Sequence, residues 1–476
     1  MSNRYFCMKK IKAAFLIILI SVFMVFPLTS CGEKGPVLFD PKQLTEEQKN
    51  LENMQLFVDD HDPVTVKVLH YGYRNNRYVS LRDFASGMAG TGKHFQVITK
   101  KDGISILTGE EYTPVGGEGE PFSDAFLDPY DDVILKTYPM DLYPLQIDGR
   151  TLHYRTIPGN SPAGKGDCYI SLTDLIMQLD VKTSMTGEEI YISTEEDYSA
   201  DPEALHREVF YYETHAALLG DASTGEVFLS YEPDTAVAIA STSKLMTYLV
   251  LMDKAAEGLI STDDIVIIPE EAARLSRTVD GEIILKQGSG ASFMDLLTAM
   301  LVPSSDECSL ALAIHAAGSE EAFVEWMNRK AAELGLSKEA RFYNCHGLPV
   351  YTDDIPASKI QNRMSAQDMF VLVQHLLAKY PEVLDITSMQ SAYLESFDTT
   401  VENTNPLLYN VPGVLGLKTG TTNMAGDCVI GVLKAADPNG ALHYVTVVQF
   451  GAEDETIRAT LSEELIRYGK QMIEKR

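Results

Sequence analysis

Basic residues are scarce in this chain. Its 476 residues carry 68 aspartates and glutamates against 39 lysines and arginines, a formal charge of −29. So acidic a balance argues against a nucleic-acid partner, whose phosphates demand a basic surface. It argues equally against holding an anionic membrane through a polybasic face. Several motifs are missing as well. The six cysteines contain no Cys-x-x-Cys pair, so no zinc site is expected. His61, His70, His94 and His153 show no ligand spacing, and no metal or other cofactor is predicted. There is no His-Glu-x-x-His and no Gly-x-Ser-x-Gly, which removes the metalloprotease and α/β-hydrolase readings. The N-terminal apolar run, Ala13 to Phe26, falls short of the roughly 20 residues of a comfortable membrane span. What is present is a chain 45% hydrophobic and 22% charged, as in folded proteins, and long enough for several domains.

The apolar run follows Arg4, Lys9, Lys10 and Lys12 and ends in Leu28-Thr29-Ser30-Cys31. That order fits a signal peptide, and its end resembles a bacterial lipobox, whose cysteine becomes the lipidated first residue. Residues 1–30 are therefore expected to be a lipoprotein signal peptide. Residues 31–60 are expected to be the lipidated Cys31 and a polar tether, with a short helix before Leu56. The resemblance implies a chain held by its lipid on the outer face of a bacterial cell membrane. Four cysteines remain, Cys168, Cys308, Cys345 and Cys428, as disulfides or as buried thiols.

From 61 to 200 strand-like alternation dominates, and a segment recurs. "YVSLRDFASGM" begins at Tyr78 and "YISLTDLIMQL" at Tyr169, matching Tyr78/Tyr169, Ser80/Ser171, Leu81/Leu172 and Asp83/Asp174. Each copy predicts a short strand, a helix begun at the serine, and a hairpin, the first hairpin with Asp102-Gly103 at its tip. The pattern is similar to the stalk-like modules named for the N-terminal domain of copper amine oxidases, read here as a spacer or wall-binding module without copper.

An acidic, proline-containing boundary at Glu195–Glu208 separates this module from residues 206–476. There two strands flank Ser223-Thr224-Gly225. A helix follows from Ser241 to Ala256, then several amphipathic helices, then the strand "VLGLKTGTT". A hairpin turning at Asp437-Pro438-Asn439-Gly440 precedes a closing helix. Together they predict an α+β fold, an antiparallel sheet with helices on its faces.

Three short motifs lie in this second region. Ser241-x-x-Lys244 puts a hydroxyl and an amine on one helix face, beside backbone N–H groups suited to an oxyanion. The same pair also reads as a plain N-cap, since Ser-x-x-Lys arises about once by chance in a chain this long. Ser304-x-Asp306 precedes a helix, where Ser304-x-x-Glu307 reads equally as a capping box. Lys418-Thr419-Gly420-Thr421 sits on a strand, where Gly420 would let a ligand backbone approach.

Together and in this order, they form the penicillin-recognising acyl-transferase set. The chain resembles the serine-type D-alanyl-D-alanine carboxypeptidases, the low-molecular-mass penicillin-binding proteins, from Val209 to Tyr468. "FYNCHGL", "MSAQDM", "NTNPLL" and "GLKTGTTNMAG" extend the likeness. The resemblance implies a β-lactamase/penicillin-binding-protein-like transpeptidase domain acting on peptidoglycan stem peptides ending in D-Ala-D-Ala, with β-lactams as covalent inhibitors. It implies Ser241 as nucleophile, Lys244 as base and Ser304 as proton relay. Asp306, Lys418, Thr419, Gly420, Thr421 and Arg458 would bind substrate. Backbone N–H groups of Ser241 and Thr421 would form the oxyanion hole. Class A β-lactamases share the three motifs but need a Glu-x-x-Leu-Asn segment, and no Leu-Asn dipeptide occurs here. Asp306 departs from the family, which has Asn there. A carboxylate only accepts hydrogen bonds and favours a protonated Lys244. The alternatives that stay open are a β-lactamase-like hydrolase and a catalytically weak surface lipoprotein that binds wall peptides.

Overall fold

In the computed structural model, residues 51–71, 76–100, 103–121, 143–160, 166–200, 214–278, 283–350 and 360–476 are described. The signal peptide, Cys31, and part of the predicted boundary fall outside them.

Each repeat copy runs from a strand into a helix at its serine, because that serine caps the helix. Strand β1 (Leu51–Val58), β2 (Val64–Tyr71) and β3 (Asn76–Ser80) precede helix α1 (Leu81–Met88). The Ser80 hydroxyl accepts from the Asp83 N–H. The hairpin β4 (Phe95–Lys100) and β5 (Gly103–Thr108) follows. The second copy repeats this order. Its strands are β6 (Leu145–Ile147), β7 (Arg150–Leu152), β8 (Thr156–Asn160) and β9 (Gly166–Ser171). Ser171 caps α2 (Leu172–Leu179) by accepting from the Asp174 N–H, and the hairpin β10 (Lys182–Thr186) and β11 (Glu189–Ser193) closes the copy.

The copies are interlaced. Strands β3 and β9 pair antiparallel as Tyr78↔Ser171, Val79↔Ile170 and Ser80↔Tyr169, so equivalent residues exchange places about the central pair. Each hairpin leaves its own copy: β5 runs parallel to β6, and β11 runs parallel to β1. The result is a seven-stranded sheet, β10-β11-β1-β2-β3-β9-β8, and a four-stranded one, β4-β5-β6-β7. This corrects the predicted tether. Residues 51–58 form a strand inside the larger sheet, with Met54 and Leu56 buried, because the second copy's hairpin needs β1 as its edge partner.

The second region holds a five-stranded antiparallel sheet. Its strands are β12 (Ala216–Asp221), β13 (Glu226–Tyr231), β14 (Val414–Thr422), β15 (Gly426–Ala436) and β16 (Leu442–Ala452), in the order β13-β12-β16-β15-β14. The hairpin and closing helix predicted from sequence are there. Both sheet faces are covered, and alternate residues divide between them. Ala216, Leu218, Ile430 and Phe450 join a helical layer on one side. Its helices include α3 (Lys244–Ala256), α4 (Phe293–Leu301), α5 (Asp306–Ala317), α6 (Glu320–Glu333) and α7 (Ala366–Lys379).

Ala217, Leu219, Val445 and Val447 face the other way. They pack with Leu461, Leu465 and Ile466 of α8 (Glu455–Glu474) in a buried cluster continuous with the repeat module's core. Polar contacts pin the same junction. Arg150 Nη1 donates to the Tyr409 and Asn410 carbonyls at 2.6 and 3.1 Å. The Thr460 hydroxyl donates to Asp174 at 2.7 Å, and Gln178 reaches Glu463 at 3.0 Å. The module is thus packed onto the back of the second sheet.

Candidate active site

Three neighbouring hydroxyls open the site, and two of them are used locally. A single 3₁₀ turn, Ala240–Ser243, leads into α3. Thr242 Oγ1 donates to the Ile239 carbonyl at 2.6 Å and Ser243 Oγ to the Ala240 carbonyl at 2.8 Å. The Ser241 hydroxyl instead meets Lys244 Nζ at 2.8 Å. The sequence predicts an α-helix from Ser241. The observed 3₁₀ turn brings positions three apart directly into line, which suits this pair better. Nor is Ser241 a cap: Ser243 precedes α3, and no side-chain cap bond forms there. Ala240 holds a φ of 46°, a left-handed conformation at the residue before Ser241.

Lys244 is fully buried. Besides Ser241, its Nζ meets Asp306 Oδ1 at 2.5 Å and the His346 carbonyl at 2.8 Å. The turn that presents that carbonyl is braced throughout. Asn344 Oδ1 accepts from Gly347 N at 2.7 Å, and Asn362 Oδ1 accepts from Tyr343 N at 2.7 Å. Thr247 and Ser309 both donate to the Cys345 carbonyl, at 2.6 and 2.8 Å. Gly347 has a φ of 102°, and a Cβ there would lie 2.2 Å from the Ala240 carbonyl oxygen. In sequence "FYNCHGL" carries only the family likeness; Asn344 and Gly347 within it, with Asn362 further on, are the residues that brace the turn.

Ser304 arrives on the loop between α4 and α5, and Asp306 is the first residue of α5. The capping box expected at Ser304 does not form, and the cap falls one residue later. Ser305 is the cap, accepting from Cys308 N at 3.1 Å. Ser304 takes a left-handed φ of 70°, and its hydroxyl has no partner among the described residues. Glu307 is buried next door, and burial pushes its carboxyl upward.

Strand β14 forms the opposite wall. A Cβ on Gly420 would come within 2.7 Å of Ser241 N and 3.0 Å of Thr242 N. Only glycine lets this strand lie against the turn that carries Ser241. Lys418 is 1% exposed, with Nζ 3.2 Å from the Thr419 carbonyl. Burial first, and the Lys244 charge second, hold its amine well below the usual lysine range. Thr419 Oγ1 pairs with Thr404 Oγ1 at 2.5 Å, so "NTNPLL" supports this strand. Arg458 of α8 reaches the strand's far end. Its Nη1 lies 2.9 Å from Asp427 Oδ1 and 3.2 Å from Thr421 Oγ1. Asp427 itself was missed in the sequence, where a lone aspartate after Gly426 carries no motif.

Among the described residues, no group of three or more His, Cys, Asp or Glu is arranged to hold a metal ion. Cys168, Cys308, Cys345 and Cys428 are buried free thiols. Burial raises each of them, which keeps them protonated and unreactive.

Three comparisons bear on this arrangement. The model of peptidase family S11, D-alanyl-D-alanine carboxypeptidase, matches residues 200–449. D-alanyl-D-alanine carboxypeptidase DacF of Bacillus subtilis is 34% identical over 244 residues, covering 51% of this chain and 58% of the relative. DacD of Escherichia coli is 32% identical over 266 residues, covering 54% of this chain and 64% of the relative. The chain thus spans less than two thirds of the length of either. Among solved structures, the ampicillin-bound form of penicillin-binding protein D2 from Listeria monocytogenes aligns with a TM-score of 0.46 and 27% identity, over 55% of this chain and 98% of that one.

Proposed function

The chain belongs to the D-alanyl-D-alanine carboxypeptidase family, peptidase S11, and from that premise we propose that it is a serine D,D-peptidase acting on peptidoglycan stem peptides ending in D-Ala-D-Ala. The observation that carries the reading is the 2.8 Å contact between Lys244 Nζ and Ser241 Oγ, at a turn against which Gly420 lets strand β14 lie.

In this reading Ser241 Oγ attacks the carbonyl between the two D-alanines and passes its proton to Lys244 in the neutral form. Ser304 relays a proton to the departing nitrogen. The C–N bond breaks, D-alanine leaves, and the acyl group stays as an ester on Ser241. Water then cleaves the ester and restores the hydroxyl. The backbone N–H groups of Ser241 and Thr421 face the oxyanion. Lys418, Thr419, Thr421 and Arg458 receive the terminal carboxylate. A β-lactam carries the same acyl centre in a ring, so it acylates Ser241 and its leaving group stays attached.

The N-terminal segment belongs to the same proposal. Its charge, apolar run and Leu28-Thr29-Ser30-Cys31 support a lipoprotein signal, with Cys31 anchoring the chain to the outer face of the cell membrane. The copper-amine-oxidase-like module then stands between lipid and peptidase domain. A second reading, a catalytically weak protein that binds wall peptides, is favoured by one observation, the 2.5 Å contact of Asp306 with Lys244.

Fluorescent penicillin decides between them, applied to protein from Gly32 onward and to its Ser241→Ala variant. A covalent label on the unsubstituted protein alone, followed by release of D-alanine from stem peptides, is the expected result. No label on either form would leave the binding protein as the better reading.

A further inference from the structure

The repeat module reads in sequence as a spacer, yet it fastens a segment that ends at the candidate site. Arg150 Nη1 donates to the carbonyls of Tyr409 and Asn410, at the end of the short helix Leu407–Asn410. Gln178 Nε2 donates to the Asn410 carbonyl as well, at 3.0 Å. Carbonyls at a helix end have no partner within the helix, and here the module supplies one. Asn410 is fully buried, and its side chain exchanges two bonds with the His153 backbone, at 2.8 and 3.1 Å. The His153 ring stacks on Tyr409, with centroids 3.7 Å apart. Leu407, Leu408, Val411 and Val414, the last of these the first residue of β14, join the module's buried cluster.

From Tyr409 the contacts run on to the site. Its hydroxyl lies 2.8 Å from the Gln390 carbonyl and 3.2 Å from that of Asn403. Asn403 is held in turn. Its Nδ2 donates to the Met389 carbonyl at 2.9 Å, and its Oδ1 accepts from Asn405 N at 3.0 Å. Next comes Thr404, whose N–H donates to the Val302 carbonyl at 3.4 Å, just before the loop that carries Ser304. Thr404 Oγ1 lies 2.5 Å from Thr419 Oγ1. A hydroxyl has one hydrogen, and a carboxylate only accepts. Thr419 must spend its own hydrogen on the substrate's carboxylate, so the hydrogen between the two threonines has to come from Thr404.

We propose that Thr404 is a positioning residue for the substrate's terminal carboxylate, and that the repeat module belongs to the binding apparatus because it holds Thr404 through Arg150 and Tyr409. Thr404 donates to Thr419 and so turns the Thr419 hydrogen toward the substrate. The module braces residues 403–410 from behind and keeps that donor in reach. The inference rests on the reading above, with Ser241 as nucleophile and Thr419 on the carboxylate.

The test uses the full-length chain and an acyl-D-alanyl-D-alanine peptide. Release of D-alanine gives kcat and KM, and covalent labelling by fluorescent penicillin counts the competent molecules. Thr404→Val is expected to raise KM roughly fivefold, the weight of one hydrogen bond, with kcat per labelled molecule within about twofold. Thr404→Ser, which restores the hydroxyl, should return KM to the parent value. Arg150→Ala should raise KM about threefold, and should add nothing in the Thr404→Val background, because the two act on one contact. A merely structural loss would lower the labelled fraction and leave KM alone, and that result overturns the inference. So does a double variant whose two effects multiply, which would show that the module does not act through Thr404. If no form takes the label, the unsubstituted chain included, the nucleophile reading falls and this inference with it. Labelling with an unmoved KM sinks this inference alone. Should Arg150→Ala fail to fold, Gln178→Ala takes its place and is judged in the same way.

Discussion

Among the described residues, a buried lysine meets an aspartate in each of the two regions. In the repeat module, Lys67 Nζ lies 2.7 Å from Asp83, with side chains 5% and 1% exposed. In the candidate site, Lys244 Nζ lies 2.5 Å from Asp306, with side chains 0% and 15% exposed. The chemistry is the same and the surroundings differ. Asp83 also takes the backbone N–H of Lys67 at 2.9 Å and of Gly119 at 3.1 Å, while Lys67 reaches the carbonyls of Gly117 and Glu120, both at 3.4 Å. None of these further partners can give up a proton at ordinary pH. Lys244 has instead a serine hydroxyl among its three partners. Asp306 lies nearer the solvent. The candidate-site pair is set apart by its third partner and by its greater exposure.

The largest effects should separate the two pairs. Lys244→Ala is expected to slow acylation by penicillin roughly 10²–10⁴-fold, the range for loss of a general base, while the urea midpoint stays near that of the parent. Retained acylation would remove Lys244 from the chemistry. Asp83→Ala should do the reverse. It strands Lys67 without a counter-charge and is expected to cost about 3–5 kcal/mol in urea unfolding. A cost below about 1 kcal/mol would mean that water enters and replaces the carboxylate.

A smaller effect tests how closed the module is. Burial pushes the Asp167 carboxyl up to about 6, Asp83 adds to this, and bonds from Ser80, Cys168 N and Arg82 N oppose it. A carboxyl raised on folding stabilises the protein at acid pH, and that contribution disappears as pH rises through the folded value. Urea stability should therefore fall by about 1–3 kcal/mol from this group between about pH 4 and about pH 7. Asp167→Asn should flatten that part of the profile, and a profile identical to the parent's would show the site to be hydrated.

How far the sequence reached is best seen in its serines. Ser80, Ser171, Ser292, Ser305, Ser319 and Ser365 all cap helices, each accepting from the N–H three residues on. By local pattern Ser241 and Ser304 looked like members of this set. Only their order along the chain relative to Lys418-Thr419-Gly420 set them apart, which is why family resemblance found them and spacing alone did not. Strands such as Ala216–Asp221 and Leu442–Ala452 were legible as short apolar runs bounded by turn residues. The strand at Leu51–Val58 was not, since one of its two partners, Glu189–Ser193, lies far along the chain. Asp427 was hidden for the same reason. Its meaning comes from a guanidinium 31 residues away that the fold brings to 2.9 Å.

The finest test of the comparison makes the two pairs differ by one atom type. Asp306→Asn keeps the shape beside Lys244 and removes its charge. A carboxylate only accepts, so Asp306 holds Lys244 Nζ as a donor at 2.5 Å, and an Nζ spent on donating is less free to accept the Ser241 proton. The amide can accept from the amine through its oxygen and still offer an N–H to a ligand. Acylation by penicillin near neutral pH is therefore expected to rise about tenfold, the equivalent of about 1.4 kcal/mol in charge stabilisation. Asp83→Asn in the module should leave acylation untouched and lower stability instead. If Asp306→Asn acylates no faster than the parent, Asp306 does not restrain Lys244. The two lysine–aspartate pairs would then differ only in their exposure to solvent.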